Sequence, residues 1–417
     1  MWLATPSAAD LYLEGLSPMN VARFTSLIAG LTAAAMIAAA CTSSSSDEES
    51  SPTSTDDTSL TPSPTEAGER VIPGTGEWPT DWSKRSIDLD ELRVGLPGRT
   101  DMRDGIRPID DPTFDSVEEA SEWITDREPV IAVKVNDIAR AYPLGILISH
   151  EIVNDQFGET PVAVTYCPLC NSAVGFDRRV DGQTLRFGVS GLLRNSDLVM
   201  WDDATTSLWQ QITGEAIVGE FTGTKLDFIP APIISFGDFA ASYPDGEVLS
   251  SEGSPGRNPY VSYDSSSRPF LFEGSIDDRF PAMERVVGVV VNGETKAFPF
   301  SVLREERAVN DDFAGEPIVV MWGAPDTASA LDTLMIAEGA AIGTGIAYER
   351  TVNGRVLTFE HVDGDTFHDV ETGTTWDLLG HGLDGPLAGE RLTPLVQTNE
   401  FWFAWAAFNS GAPVHSS

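Results

Sequence analysis

Five strings recur in the same order in two parts of this chain, and that repetition limits what it can fold into. Lys134-Val-Asn-Asp-Ile-Ala-Arg-Ala-Tyr-Pro143 returns as Val290-Val-Asn-Gly-Glu-Thr-Lys-Ala-Phe-Pro299, and Glu151-Ile-Val-Asn-Asp155 as Arg307-Ala-Val-Asn-Asp311. Pro161-Val-Ala-Val-Thr-Tyr166 returns as Pro317-Ile-Val-Val-Met-Trp322. Phe176 to Phe187 returns as Tyr348 to Phe359, and Gly223-Thr-Lys-Leu226 as Gly389-Glu-Arg-Leu392. A repeated unit of this kind is one supersecondary arrangement used twice, the copies burying apolar faces together. Each copy reads mostly as strands. Asn292-Gly293, Asp181-Gly182 and Asn353-Gly354 are hairpin turns, since a two-residue turn needs backbone with positive φ. Short helices fit Leu144 to Ile152, Phe236 to Ser242, Phe300 to Arg307 and Phe401 to Asn409. The predicted class is α+β and strand-rich, with two duplicated halves packed together. The first repeat spans 78–255, a Gly/Pro/Ser/Asp-rich connecting segment 256–280, and a second, degenerate repeat 281–412.

The N-terminus reads as targeting. From Met19 a basic start at Arg23 leads into an apolar run, Phe24 to Ala40, that ends at Cys41. That is a signal peptide over 19–40, with residues 1–18 a mis-called start. Ala38-Ala39-Ala40-Cys41 resembles a bacterial lipobox, which implies a lipid on Cys41 and an anchor on the outer face of the cytoplasmic membrane. The Leu usual three residues before that Cys is replaced by Ala38; the other reading is a transmembrane anchor. Residues 41–77 are rich in Ser, Thr, Pro and acidic residues, too polar to offset their ordering entropy, and read as a disordered tether.

Acidic residues number 64 against 26 basic ones, a net charge of −38. So negative a surface repels phosphates, which excludes nucleic acid as a partner. Cysteine is confined to Cys41, Cys167 and Cys170, so the chain is no disulfide-stapled scaffold. Cys167-Pro-Leu-Cys170 follows the strand Val162 to Tyr166, and His150 lies upstream at a helix end. The positions aligned with His150, Cys167 and Cys170 in the second copy are Glu306, Gly323 and Asp326. A duplicated scaffold needs the same packing twice but its chemistry only once. That asymmetry groups His150, Cys167 and Cys170 as one site.

Three readings of that site stay open: a soft transition metal, a thiol–disulfide exchange pair, and a structural disulfide in a plain binding module. Met200 as fourth ligand favours copper, because a thioether is soft; Asp197 or Asp202 favours zinc. His361, His368 and His381 belong to the second copy and reach the site only across the interface. In the exchange reading Cys167 attacks and Cys170 resolves. A thioredoxin fold is excluded, since it needs a long helix after the first Cys and only Asn171 to Gly175 separate the motif from the next hairpin. No Rieske pair, phosphate loop, zincin helix or nucleophile elbow occurs. Arg194, Asn195 and Asp197, with Gln210 and Gln211 beside Trp209, form a polar cluster able to line a pocket for a small molecule. Trp376 takes the place of Trp209 in the second copy, which marks the Trp as packing.

Taken together, Ala141-Tyr-Pro-Leu144, His150-Glu-Ile-Val-Asn-Asp155, Val164-Thr-Tyr-Cys-Pro-Leu-Cys-Asn171, Leu193-Arg-Asn-Ser-Asp-Leu198 and Thr213-Gly-Glu-Ala216 resemble the prokaryotic family catalogued as domain of unknown function 3179. The resemblance runs from about Asp104 to Asn409. It implies one integrated unit and makes the Cys pair with His150 a family feature; it carries no activity to transfer. The expectation is an extracytoplasmic, lipid-anchored protein that holds copper or zinc, with a small molecule or a protein as further partner.

Overall fold

The computed structural model describes residues 72–251 and 258–416. Cys41, the stretch read as a signal peptide and most of the stretch read as a tether lie outside the described residues. Ile72, within the 41–77 stretch read as a tether, is packed: with Trp78, Leu89 and Leu92 it has a buried apolar seat against Leu192, Val199 and Leu208. Among the described residues, no helix is long and apolar enough to cross a membrane.

The chain is α+β and strand-rich. Hairpin β1 (Pro129–Val135) and β2 (Ile138–Pro143) leads into helix α1 (Leu144–His150). Then follow β3 (Ile152–Phe157), β4 (Thr160–Cys167) and β5 (Ser172–Asp177), an antiparallel meander. A second meander comprises β6 (Phe187–Arg194), β7 (Asp197–Asp202), β8 (Leu208–Gln210) and β9 (Glu215–Val218). Strand β10 (Ile233–Ser235) returns to pair with β1 and feeds α2 (Phe236–Ser242).

The later segment runs through the same sequence of elements. Hairpin β11 (Arg285–Val291) and β12 (Glu294–Pro299) leads into α3 (Phe300–Glu306), then β13 (Ala308–Phe313), β14 (Glu316–Gly323) and β15 (Thr344–Glu349). A four-stranded meander follows, β16 (Phe359–Asp363), β17 (Thr366–Asp369), β18 (Thr375–Asp377) and β19 (Gly382–Asp384). Finally β20 (Val396–Phe401) pairs with β11 and feeds α4 (Trp402–Phe408).

Local chemistry explains these boundaries. Asn292-Gly293, Asp181-Gly182 and Asn353-Gly354 all have positive φ, as two-residue hairpin turns require. Helices α1 and α3 each start after a proline, Pro143 or Pro299, whose missing N–H costs nothing at a helix start. Each stops where the next residue, Glu151 or Arg307, turns to φ near +60°. The expected hairpin over Phe176 to Phe187 is smaller: only Arg179–Val180 and Gln183–Thr184 pair, while Phe176 belongs to β5 and Phe187 to β6.

Burial ties the two segments together. The largest core contains Tyr166, Cys167, Cys170, Met200 and Trp209 along with Leu331, Phe401, Phe403 and Ala404. A second core joins Val130, Ile234 and Phe239 to Val319, Ile346 and Trp376. Chain on both sides of 252–257 therefore contributes to each core.

Candidate metal centre

Cys167 ends one strand and Cys170 lies within the four-residue turn that follows it. Strands β4 and β5 pair through Cys167 and Ser172, and Pro168–Asn171 make the turn. Asn171 has positive φ, and its side chain accepts a hydrogen bond from the Tyr166 hydroxyl at 3.1 Å. The loop is thus a hairpin end, with no helix behind it, and both sulfurs are buried as free thiols.

The third member comes from the neighbouring hairpin. Asn195 and Ser196, both with positive φ, form the tight turn between β6 and β7 and place Asp197 at the start of β7. One atom from each of Cys167, Cys170 and Asp197 lies within 4.8 Å of the other two, and all three residues are buried. The Cys167 thiol also donates to the Ser196 carbonyl at 3.7 Å. Around a tetrahedral zinc with Zn–S of about 2.3 Å, ligand atoms sit roughly 3.8 Å apart.

Asp197 is held from behind. Gln210 Nε2 donates to its Oδ2 at 2.6 Å and the Ile212 N–H at 3.0 Å. Gln211 braces the two meanders instead: its amide donates to Thr165 Oγ1 at 2.9 Å and accepts from Ser172 Oγ at 2.7 Å. Gln210 Oε1 is buried without a partner. Of the polar cluster predicted as pocket lining, Asp197 lies beside the thiols, Gln210 bonds Asp197, and Gln211 bonds the strands that carry the cysteine turn. Arg194 turns away to an ion pair with Glu91 at 2.7 Å, and Asn195 serves the turn.

His150 lies outside the trio. Its Nδ1 is bonded to the Arg107 carbonyl at 2.8 Å. The chain reverses at the end of α1, so the next residue, Glu151, is the one that is buried. Sequence reasoning selected the ligating residue type and missed its neighbour. The available signal was the aligned Arg307, an opposite charge at the same turn: the backbone carbonyls of Glu151 and Arg307 accept from Tyr166 and Trp322 respectively, each at 2.8 Å. Glu400 near the end of β20 was also missed. It is buried, its Oε2 has no partner, and the following Phe401 N–H donates to the Cys170 carbonyl at 2.8 Å.

Met200 lies in the same core as the two cysteines, with its backbone paired to Val189 and Trp209. Asp202 is committed to architecture: its carboxylate accepts from the Thr205 and Ser207 amides and from Trp209 Nε1 at 2.9 Å. Asp369 accepts from Trp376 Nε1 at the same 2.9 Å, so both Trp residues are anchors. His361 bonds the Gly364 carbonyl, His368 pairs with Glu360 and His381 with Asp377. None of these three histidines joins the trio.

Burial dominates the electrostatics. It pushes Asp197 up to about 7, and Glu151 and Glu400 each up to about 8, with Asp197 adding like-charge repulsion to both glutamates. It also raises both thiols, Cys170 well above the usual range. Among the described residues, no basic side chain ion-pairs with any of the five. Two thiols and three carboxyl groups thus share a water-poor interior with no ion pair to a basic side chain, the partly buried Arg285 against Phe401 being paired to Asp264.

Residues 103–412 match the sequence profile of the family described as protein of unknown function (DUF3179), and the chain belongs to that family. No curated protein and no solved structure matches the chain.

Proposed function

We propose that this DUF3179 protein binds one metal ion of the zinc class through Cys167, Cys170 and Asp197, with the buried Glu400, which lies outside that 4.8 Å trio, as the proposed fourth donor. The supporting observation is the convergence of two thiols and a carboxyl group within 4.8 Å, all buried and with no cation among them. A divalent cation is the charge complement of that cluster. It would take the place of protons held there by burial, and affinity should rise with pH as those protons leave. A carboxylate in the set favours zinc over copper, which prefers imidazole and thioether. Four protein donors would leave no open position for a water, so the ion's role is to hold structure.

Thiol exchange is less favoured. An attacking cysteine needs exposure and a lowered pKa, and Cys167 and Cys170 have neither. We further propose that the two like-ordered segments are a duplication that kept the site in one copy. We also propose that the chain is exported and lipid-anchored through Cys41 on the outer face of the cytoplasmic membrane, where a metal-filled thiol pair resists oxidation.

The test is elemental analysis with thiol counting on protein exported from a bacterial host and purified without chelator. The expected result is about one zinc per chain, lost in Cys167→Ser and weakened at least tenfold in Asp197→Asn and Glu400→Gln, while His150→Ala keeps the metal. Absence of both metal and titratable thiols would replace this reading with a structural disulfide.

A further inference from the structure

A second concavity, of about 420 Å³, lies where β1, β10 and α2 meet β15 and the chain around Leu392. Its deeper wall is apolar and buried, with Ile234, Phe239 and Tyr348. Its mouth carries Lys134 and Arg391, both exposed. The Lys134 ammonium lies 5.9 Å from the centroid of the Tyr243 ring, and the Arg391 guanidinium 5.8 Å. In a chain with 64 acidic and 26 basic residues, neither cation has a carboxylate partner among the described residues. Arg391 is fixed in place: it donates to His381 Nε2 at 2.6 Å, and His381 Nδ1 donates to Asp377 at 2.9 Å.

Tyr243 presents its ring to both cations, and an anion held at the mouth of the cleft would supply the charge partner that neither has. A cleft of this size, apolar at depth with a few convergent polar groups, is the usual form of a small-molecule site. We infer that the cleft binds a small anion with a flat apolar body, an aromatic carboxylate in chemical class. Its acid group faces the Lys134 and Arg391 side of the cleft, and its body lies against Tyr243, Tyr348 and Ile234. This site is separate in residues from the thiol centre and does not depend on a metal there.

The probes are 1-naphthoate and its neutral counterpart 1-naphthamide, titrated calorimetrically into the mature protein. Naphthoate should bind saturably with one site per chain and more tightly than naphthamide, and its affinity should fall as salt is raised. The double variant Lys134→Met with Arg391→Met should weaken naphthoate at least tenfold and leave naphthamide within twofold. Because Arg391 also bonds His381, the melting temperature of the variant is measured alongside, and naphthamide affinity within twofold of the parent reports that the cleft is intact. Equal affinity for the two probes, no saturable naphthoate binding to the parent, or a double variant with parent affinity each overturns the inference.

Discussion

Asp197, Glu151 and Glu400 hold protons in the folded chain that they give up when it unfolds. Their usual values lie near 4, and the fold raises them to about 7, 8 and 8. Between those limits the folded state binds more protons than the unfolded one, so stability falls as pH rises. The slope is about 1.4 kcal/mol per pH unit for each proton of difference. Chelator-treated protein should therefore melt at a lower temperature at pH 8 than at pH 5.5. Zinc should reverse the order, because it binds the deprotonated groups. A metal-free melting temperature that climbs over this range would contradict the assigned protonation. At this scale the sequence shows residue types well and burial poorly. Cys167 and Cys170 are legible because the like-ordered later segment lacks both thiols, while Asp197 stands in the sequence only as one of several further donors and as part of a polar cluster. Glu151 and Glu400 are not legible, since a carboxylate in a strand or cap looks alike whether it faces water or a core.

The matching Trp–Asp bonds operate between elements. Trp209 is anchored by Asp202 across a tight loop, and Trp376 by Asp369 across its counterpart. Replacing either Trp with Phe leaves a buried carboxylate short of a donor, at a cost of about 1–3 kcal/mol. Denaturant melts should show similar losses at the two positions, and a loss confined to Trp209 would deny the common role. Strand β11 offers a sharper case. A Cβ on Gly288 would sit 2.7 Å from Thr398 Oγ1 and 2.8 Å from Trp405 Cδ1, so α4 lies directly on bare backbone. Gly288→Ala should cost about 1–3 kcal/mol through overpacking. Hairpins and short helices are the most legible elements, since Asn-Gly turns and proline starts act locally. The pairing of β10 with β1 and of β20 with β11 has no local signature, because it joins residues roughly a hundred apart.

For the whole molecule, the two segments share cores rather than abutting as finished domains. Phe401, Phe403 and Ala404 complete the core that contains Cys167 and Cys170. Arg127 reaches across to the carbonyls of Asp326 and Ala337, at 3.1 and 2.8 Å. A fragment ending at residue 251 should therefore show no cooperative melt and bind no zinc, and adding the remainder in trans should restore both in part. A fragment that melts cooperatively alone would show that the first half is self-sufficient. The proposed anchor is tested at the same scale: Cys41→Ser should abolish labelling by a radioactive fatty acid and release the protein from membranes. The like order of strings is readable in the sequence, whereas the sharing of cores is not, since periodicity shows which faces are apolar and not which faces meet.

The segment Asn258 to Phe272 crosses the tip of the cysteine hairpin. The Tyr263 hydroxyl donates to the Leu169 carbonyl at 3.0 Å, Ser196 Oγ donates to the Phe270 carbonyl, and Phe272 packs on Phe403. Asn258 moors the same segment to the Leu334 and Thr333 carbonyls, at 3.1 Å each. A chelator cannot reach the sulfurs until this cover lifts, so an ion held there should have a residence time set by the protein's own opening. Zinc loss to a strong chelator should then reach a plateau rate that no longer depends on chelator concentration. Tyr263→Ala should raise that plateau while leaving equilibrium occupancy nearly unchanged.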